Sequence, residues 1–204
     1  MLFMRVFIAV LVLIFSLQSW TKADDISDFE IEGISIGDSA LKYVDLETIN
    51  KHFEKTKNHY TFLKEPLKFR EVYIFESSSF KTYESVSFMV KGNDPNYKIF
   101  FIRGMKEFIN NFDQCMAKRN DISNEIEKLF VSFKKRESKK IINRLDESGK
   151  SFRKQIIYTF DSGAEIIAGC NNWDEEIRKK NSWSEGFNLA IITKDVANWF
   201  DDSK

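Results

Sequence analysis

The stretch YESVSFMVKGNDPNYKIFFIRG, residues 83–104, decides the fold of this chain. Its two ends are rich in β-branched and aromatic residues, and the Asn-Asp-Pro between them favours a turn. A third run of the same kind, FREVYIFE at residues 69–76, precedes it across a Ser-rich segment. Parallel strands need a crossover of a dozen or more residues between them, and these gaps are shorter. The three runs therefore predict an antiparallel meander.

A long amphipathic helix is predicted next along the chain. Asn110 and Asn111 can cap its first turn, because a side-chain oxygen accepts a free backbone N–H there. Apolar residues then recur at spacings of three and four, which places them on one face. We expect this face in the core, and an exposed partner groove or membrane surface is the alternative. The face consists of Phe112, Cys115, Met116, Ile122, Ile126, Leu129, Phe130 and Phe133.

A second set of three strands is predicted in the C-terminal part. A charged segment, expected to be helical or mobile, first runs to Gly149. Residues 154–160, 164–170 and 187–194 are then rich in apolar and β-branched side chains. Residues 161–163, Asp-Ser-Gly, favour a hairpin turn between the first two strands.

Shorter elements are predicted near both ends. Residues 29–36, FEIEGISI, alternate apolar and polar side chains as a half-buried strand does. Asp38 or Ser39 can cap a short helix after it, Asp45 can cap a second, and Asp195 can cap a last one.

The order of these elements predicts an α+β fold with one or more antiparallel sheets. Helix followed by three strands occurs twice, in residues 29–104 and 110–204, which suggests two αβββ units packed together. The two helices align at few positions, and chance similarity between amphipathic helices explains these as well as a duplication does. We treat residues 24–204 as a single mature globular domain.

Residues 1–23 predict a Sec-type signal peptide. An apolar run at 6–15 follows Arg5, and Thr21 and Ala23 occupy the small-residue positions that signal peptidase reads. The run is short for the roughly 30 Å of hydrocarbon in a bilayer, so an uncleaved anchor is the weaker alternative. Cleavage would leave a periplasmic or secreted protein without a stable membrane anchor.

Cys115 and Cys170 are the two cysteines of the chain. In an oxidising compartment such a pair usually forms a disulfide, and only one intramolecular pairing exists. No Cys-x-x-Cys is present and no histidine is close in sequence, so a metal or redox role is not expected.

The charge balance argues against nucleic acid as a partner. The full chain has 31 basic and 31 acidic residues, and removing Arg5 and Lys22 with the signal leaves a net charge of about −2. Binding to duplex DNA depends on a basic face that displaces counterions. The one basic cluster, KKRESKK at residues 134–140, is expected to be solvated, with an acidic partner or anionic lipid as alternatives.

Gly37-Asp38-Ser39 matches the nucleophile signature of GDS-type serine hydrolases, and Asn93 lies in a block that resembles their oxyanion motif. A general base is missing, because the expected Asp-x-x-His position carries Ile177. Without an imidazole, a serine lacks its usual proton acceptor. We therefore expect no catalytic residue and interpret Ser39 as a helix cap. A serine hydrolase using Ser39, or a carboxylate hydrolase using an Asp/Glu pair, is the alternative.

Two further patterns do not predict a cofactor or metal site. Gly149-Lys150-Ser151 resembles part of a phosphate-binding loop, but Arg144 stands where the first glycine belongs and a strand follows. His52 and His59 are seven residues apart, whereas metal sites more often use a pair four apart with further ligands.

A polar segment between the last two predicted strands, NNWDEEIRKKNSWSEG, is a possible binding loop. Aromatic side chains beside amides can form a platform for carbohydrate or peptide. The alternative is that Trp173 covers the cysteine pair in a small satellite core. The residues concerned are Asn171, Asn172, Trp173 and Trp183.

Residues 29–44, 112–130, 158–173 and 187–200 together resemble a family of small exported bacterial proteins. This resemblance implies export, an α+β fold and a cysteine pair, but no activity and no site. The chain is also similar, more loosely, to the tandem αβββ folds of small periplasmic inhibitor and assembly-factor domains. Their I-x-x-G-x-S entry corresponds to residues 31–35 or 34–39.

From the residues alone we expect a non-enzymatic, soluble envelope protein that binds another envelope protein. The sheet face or the aromatic loop would form the contact. A small hydrolase and a peripheral membrane-surface protein are the competing hypotheses, and the sequence does not indicate an oligomeric state.

Overall fold

The computed structural model describes residues 26, 29–75, 80–144 and 146–202, so the predicted signal peptide lies outside the described residues. The α+β class is confirmed. The helices are α1 Leu46–Thr56, α2 Phe112–Leu129, α3 Glu175–Asn181 and α4 Lys194–Asp201, with a short 3-10 helix at Ala40–Lys42. The strands are β1 Glu30–Ile31, β2 Ile34–Ser35, β3 Arg70–Phe75, β4 Ser85–Val90, β5 Ile99–Glu107, β6 Lys134–Glu137, β7 Ile141–Ile142, β8 Phe152–Thr159, β9 Glu165–Asn172 and β10 Gly186–Ile192.

Eight strands form one antiparallel sheet in the order β3-β4-β5-β10-β9-β8-β6, and β7 also pairs with β8. The predicted meander β3-β4-β5 and the second set of three strands are both confirmed. The two sets meet at β5 and β10 in mirrored order, which leaves β3 and β6 at opposite edges of the sheet.

The two faces of the sheet are covered differently. Because successive side chains of a strand point to opposite faces, each strand contributes to two cores. On one face, which we call the helix face, α1 packs against β3, and α2 packs against β9 and β10. On the other face, α4 and the segment 60–69 cover one end of the sheet, around a second core. That core includes Leu63, Phe69, Met89, Phe101, Val196 and Trp199.

The disulfide is confirmed between Cys115 of α2 and Cys170 of β9. Both residues are fully buried on the helix face, and their Cα atoms are 6.0 Å apart. The bond fixes α2 to the sheet strand beneath it, across a sequence separation of 55 residues.

The predicted caps of three helices are confirmed. Asn111 accepts the Gln114 N–H at the start of α2, and Asp45 accepts the Thr48 N–H at the start of α1. Ser39 accepts the Leu41 N–H of the 3-10 helix. The cap prediction for α4 is wrong, because its N-cap is Thr193 and the Asp195 carboxylate instead pairs with Lys91 at 3.3 Å.

The single strand predicted at residues 29–36 is wrong. The segment forms the two-residue strands β1 and β2, joined by a turn at Glu32 and Gly33. Both turn residues have positive φ, 53° and 77°, as a two-residue type I′ hairpin requires. The Glu32 carboxylate accepts the backbone N–H groups of residues 81–83 at 2.6 to 3.0 Å, which holds the turn against the start of β4.

The charged segment after α2 is also not helical, as it contains the strands β6 and β7. Both pair with β8 on the side away from β9. Nor is the polar segment after β9 a simple loop, because residues 175–181 form α3, capped by Asp174. No described helix is long and apolar enough to cross a membrane.

Candidate functional site: the basic edge of the sheet

β6 lies at the edge of the sheet, and its side chains alternate between the two faces. Lys135 and Glu137 point toward α2 on the helix face. Lys135 pairs with Glu127 at 2.7 Å, and Glu137 pairs with the buried Arg119 at 2.8 Å. These two ion pairs satisfy the charges on that side and hold the edge strand against the helix.

The other side chains of this edge leave their positive charges without a partner. By the same alternation, Lys134 and Arg136 point to the opposite face of the sheet. Within the described residues, seven cationic side chains around β6, β7 and β8 make no ion pair with a carboxylate. We call this set the basic edge: Lys134, Arg136, Lys139, Lys140, Arg144, Arg153 and Lys154.

Most of the basic edge is accessible to a partner. All four residues of β6 are exposed, as are Lys139, Lys140 and Arg153. The Lys140 ammonium lies 4.1 Å from the ring centroid of Phe152, a cation–π contact that orients it without neutralising it. Because the chain as a whole has a formal net charge of zero, this concentration of positive charge is local.

The ion pairs behind β6 also involve a buried tyrosine. The Tyr158 hydroxyl donates to Glu127 at 2.9 Å. Its burial and this carboxylate raise the pKa of Tyr158 to about 12, so it stays a donor at physiological pH. The hydrogen bonds from Lys135 and Tyr158 in turn lower the pKa of Glu127.

Beside the basic edge, the sheet face opposite α2 has an uncovered central part. α4 covers only the end of this face that carries Phe101 and Ile192. Beyond it, cross-strand neighbours present amide, thioether and aliphatic side chains that are all half-buried. We call this surface the open face; it comprises Met105, Gln155 and Asn188, together with Ile167, which lies at its border and packs against the second core.

A buried polar network lies where the covered part of this face begins. The Glu71 carboxylate is 1% exposed and accepts hydrogen bonds from Tyr60 at 2.6 Å, Tyr73 at 2.8 Å and Arg103 at 2.7 Å. Burial and the Glu71 charge raise the pKa of both tyrosines. Ser87 lies between Tyr73 and Arg103 across three strands, and its buried hydroxyl has no protein partner among the described residues. This network joins the edge strand β3 to β5.

The structure places Ser39 in a structural role. Its hydroxyl donates to the Asn96 carbonyl at 2.7 Å while accepting the Leu41 N–H. The neighbouring Asp38 is hydrogen-bonded by Lys42 and Tyr43, and these contacts lower its pKa. Both polar groups of the Asp-Ser pair are therefore engaged in holding the segment after β2.

The Gly149-Lys150-Ser151 turn is filled by a side chain of the chain itself. Asp146 accepts hydrogen bonds from the Ser148 hydroxyl at 2.6 Å and from the N–H groups of Ser148 at 2.9 Å and Ser151 at 2.7 Å; the hydroxyl first, and then the N–H groups, lower the pKa of Asp146. The Asp146 carboxylate thus occupies the N–H groups that would bind a phosphate in a phosphate-binding loop. The strand β8 follows this turn, as predicted.

The two histidines meet at the β3 edge. The ring centroids of His52 and His59 lie 6.1 and 6.5 Å from that of Tyr73. Among the described residues, no group of three or more His, Cys, Asp or Glu side chains is arranged to hold a metal ion.

The possible aromatic binding loop is divided between a strand and a helix. Asn171 and Asn172 are the last residues of β9, and Trp173 follows them. The rings of Trp173 and Trp183 are 5.2 Å apart across α3 and inclined at 56°, with both side chains half-buried. Trp173 donates its indole N–H to the Ser184 carbonyl at 2.9 Å. The pair therefore closes the ends of α3, and its role as a binding loop stays a prediction.

A groove of about 570 Å³ lies between the β1–β2 hairpin and α2. Ile31, Ile126 and Leu189 give it an apolar lining, and Lys118 and Glu125 contribute charges of opposite sign. The lining also includes Glu30, Glu32 and Lys81, so the groove carries three carboxylates and two ammonium groups, unlike the single sign of charge on the basic edge.

No protein-family model matches this sequence, and neither a curated protein nor a solved structure matches it.

Proposed function

We propose that this chain is an exported, disulfide-stabilised binding protein whose basic edge and open face bind an acidic protein of the cell envelope. The observation that carries the proposal is the sorting of charges on β6. Carboxylates from α2 and β6 neutralise the side that faces the helix, while Lys134 and Arg136 stay unpaired on the other side.

Charge complementarity supports an acidic partner. A cluster of unpaired cations attracts a partner of opposite charge at long range and repels basic proteins. The adjacent open face supplies amides from Gln155 and Asn188 and aliphatic surface from Ile167, the mixture of groups that protein interfaces use.

Export is supported by two independent features. The N-terminal signal pattern directs the chain out of the cytoplasm. A disulfide such as Cys115–Cys170 persists in an oxidising compartment. Mass spectrometry of protein purified from whole cells tests this part: a mature chain that begins at Asp24 and contains the intact disulfide is expected.

Site-specific photo-crosslinking in intact cells tests the binding role. A photoreactive amino acid replaces Lys139 on the basic edge or, as a matched control, the exposed and unpaired Lys51 of α1 at the opposite edge of the sheet. We expect a discrete adduct from position 139 to an acidic protein, lost when Arg136→Glu is added. Equal adducts from both positions, or none from position 139, would refute the proposal.

A vesicle experiment distinguishes an acidic protein from anionic lipid as the partner of the basic edge. Purified protein is sedimented with phosphatidylglycerol vesicles at low and high salt. We expect no more protein in the pellet than with neutral vesicles. Salt-sensitive sedimentation that Arg136→Glu abolishes, together with no protein adduct in cells, would show a membrane-surface protein instead.

A further inference from the structure

The direction of the β6 backbone can be derived from the pairing with β8. The Ser138 N–H donates to the Gln155 carbonyl at 2.8 Å, which makes this a hydrogen-bonded pair. In an antiparallel ladder such pairs alternate with pairs that are not hydrogen-bonded. Arg136 and Lys134 therefore also bond to β8, and the N–H and C=O groups of Lys135 and Glu137 point away from the sheet.

Nothing in the described part of the chain covers these outward groups. β6 is the terminal strand in the sheet order, and its four residues are all exposed. No backbone hydrogen bond from a turn, loop or neighbouring element reaches Lys135 or Glu137. The edge thus offers two free donors and two free acceptors at the spacing of a β-strand.

We propose that the acidic partner binds by adding a strand to β6, an inference that rests on the proposed function. An extended segment next to β6 would pair with the outward groups of Lys135 and Glu137. Its alternate side chains would lie beside Lys134 and Arg136 on the side of the open face. Acidic residues at every second position of that segment would meet these two cations directly, which fixes the register of the added strand.

The charges of β6 also disfavour pairing of this exposed edge with a second copy of the chain. Two copies of the same basic strand repel each other when placed side by side, which protects the edge from pairing with another copy. An acidic strand meets no such repulsion. The same cations therefore select the partner and suppress self-association.

Amide hydrogen exchange, followed residue by residue by NMR, tests strand addition. The probe is a synthetic twelve-residue peptide of alternating glutamate and threonine, added to the oxidised mature protein. When the peptide is bound, we expect the amides of Lys135 and Glu137 to exchange at about one tenth of their free rate or more slowly still. Protection of this kind is typical of a new β-ladder. The amides of Lys134 and Arg136, already bonded to β8, change little. Peptide binding with no protection at Lys135 and Glu137 would overturn the inference.

A pair of variants at one position gives an independent test. Lys135→Pro removes the outward N–H, whereas the control Lys135→Ala removes the same charge and keeps the N–H. We expect the proline variant to bind the peptide about tenfold more weakly than the alanine variant. Proline cannot donate the ladder hydrogen bond, and its ring occupies space next to the added strand. Circular dichroism melting of both variants verifies that the fold is retained.

The outcomes separate this inference from the proposed function. Equal affinities of the proline and alanine variants, with binding that Arg136→Glu abolishes, would leave an acidic ligand on the basic edge but refute strand addition. Failure of the peptide to bind the unmodified protein at low salt would refute both.

Discussion

Reduction of the Cys115–Cys170 disulfide is expected to lower the free energy of unfolding substantially, because the bond closes a long loop. The bond closes a separation of 55 residues between α2 and β9. In the chain-entropy model, opening a loop of this length lowers the free energy of unfolding by about 4 kcal/mol. For a domain of this size, that corresponds to a fall in melting temperature of about 8–16 °C.

The assay compares urea unfolding of the oxidised and the reduced forms of the same chain. The reduced form is kept in reductant and its thiols are not alkylated, so that both sulfur atoms stay unmodified in the core. A Cys115→Ala/Cys170→Ala variant serves as the second comparison and should be less stable than the reduced chain, because both sulfur atoms fill the core. A difference between oxidised and reduced forms below about 1 kcal/mol would refute the reasoning, since the loop entropy would then not be realised.

Three further predictions concern the rest of the fold. Gly104→Ala would place a Cβ about 2.7 Å from the Tyr83 ring, so we expect a loss of about 1–3 kcal/mol in urea unfolding, and no loss would contradict this close contact. Glu71→Gln leaves the Arg103 guanidinium without its buried counter-charge and should lower the free energy of unfolding by up to about 3 kcal/mol, whereas an unchanged midpoint would show that water replaces the pair. The Glu32 carboxylate is partly buried, which opposes ionisation, but three backbone N–H groups lower its pKa below 4.5. Its contribution to the free energy of unfolding is therefore complete above pH 4.5 and is lost as the pH falls through the lowered pKa. We expect the Glu32→Gln variant to lose less stability between neutral and acid pH than the unmodified protein in a stability–pH profile.

The central strands could be predicted because their signal is local. The β-branched and aromatic residues of β3, β4 and β5 favour strands by themselves, and the Asn-Asp-Pro between β4 and β5 ends one and begins the next. The caps Asp45 and Asn111 could also be predicted from the sequence, because each capping side chain accepts a hydrogen bond from an N–H three residues later.

The basic edge could not be predicted as a strand, because its signal is not local. Lys and Glu are depleted in strands, so KKRE gives no indication of β structure. Its position depends on pairing with β8 and on the contact between Glu137 and Arg119, 18 residues earlier. The sequence shows the basic cluster at residues 134–140, but it does not show which of these charges form ion pairs and which stay unpaired.

The turn at Glu32 and Gly33 shows the same limit. Positive φ at a glutamate is unusual, and the alternating pattern of residues 29–36 predicts one strand. The three N–H groups that hold the Glu32 carboxylate come from residues about fifty positions away. A long-range contact of this kind stabilises a conformation that the local sequence disfavours.

The most direct test of the account is the affinity of the oxidised mature protein for the acidic twelve-residue peptide, measured by fluorescence anisotropy at several salt concentrations. The unmodified protein should bind the peptide, and the affinity should fall as salt rises. Arg136→Glu/Arg153→Glu should weaken binding about tenfold or more, while the matched reversal Lys51→Glu/Lys55→Glu on α1 changes it less than about twofold. No binding at low salt, or an equal loss in both variants, would contradict a specific role for the basic edge.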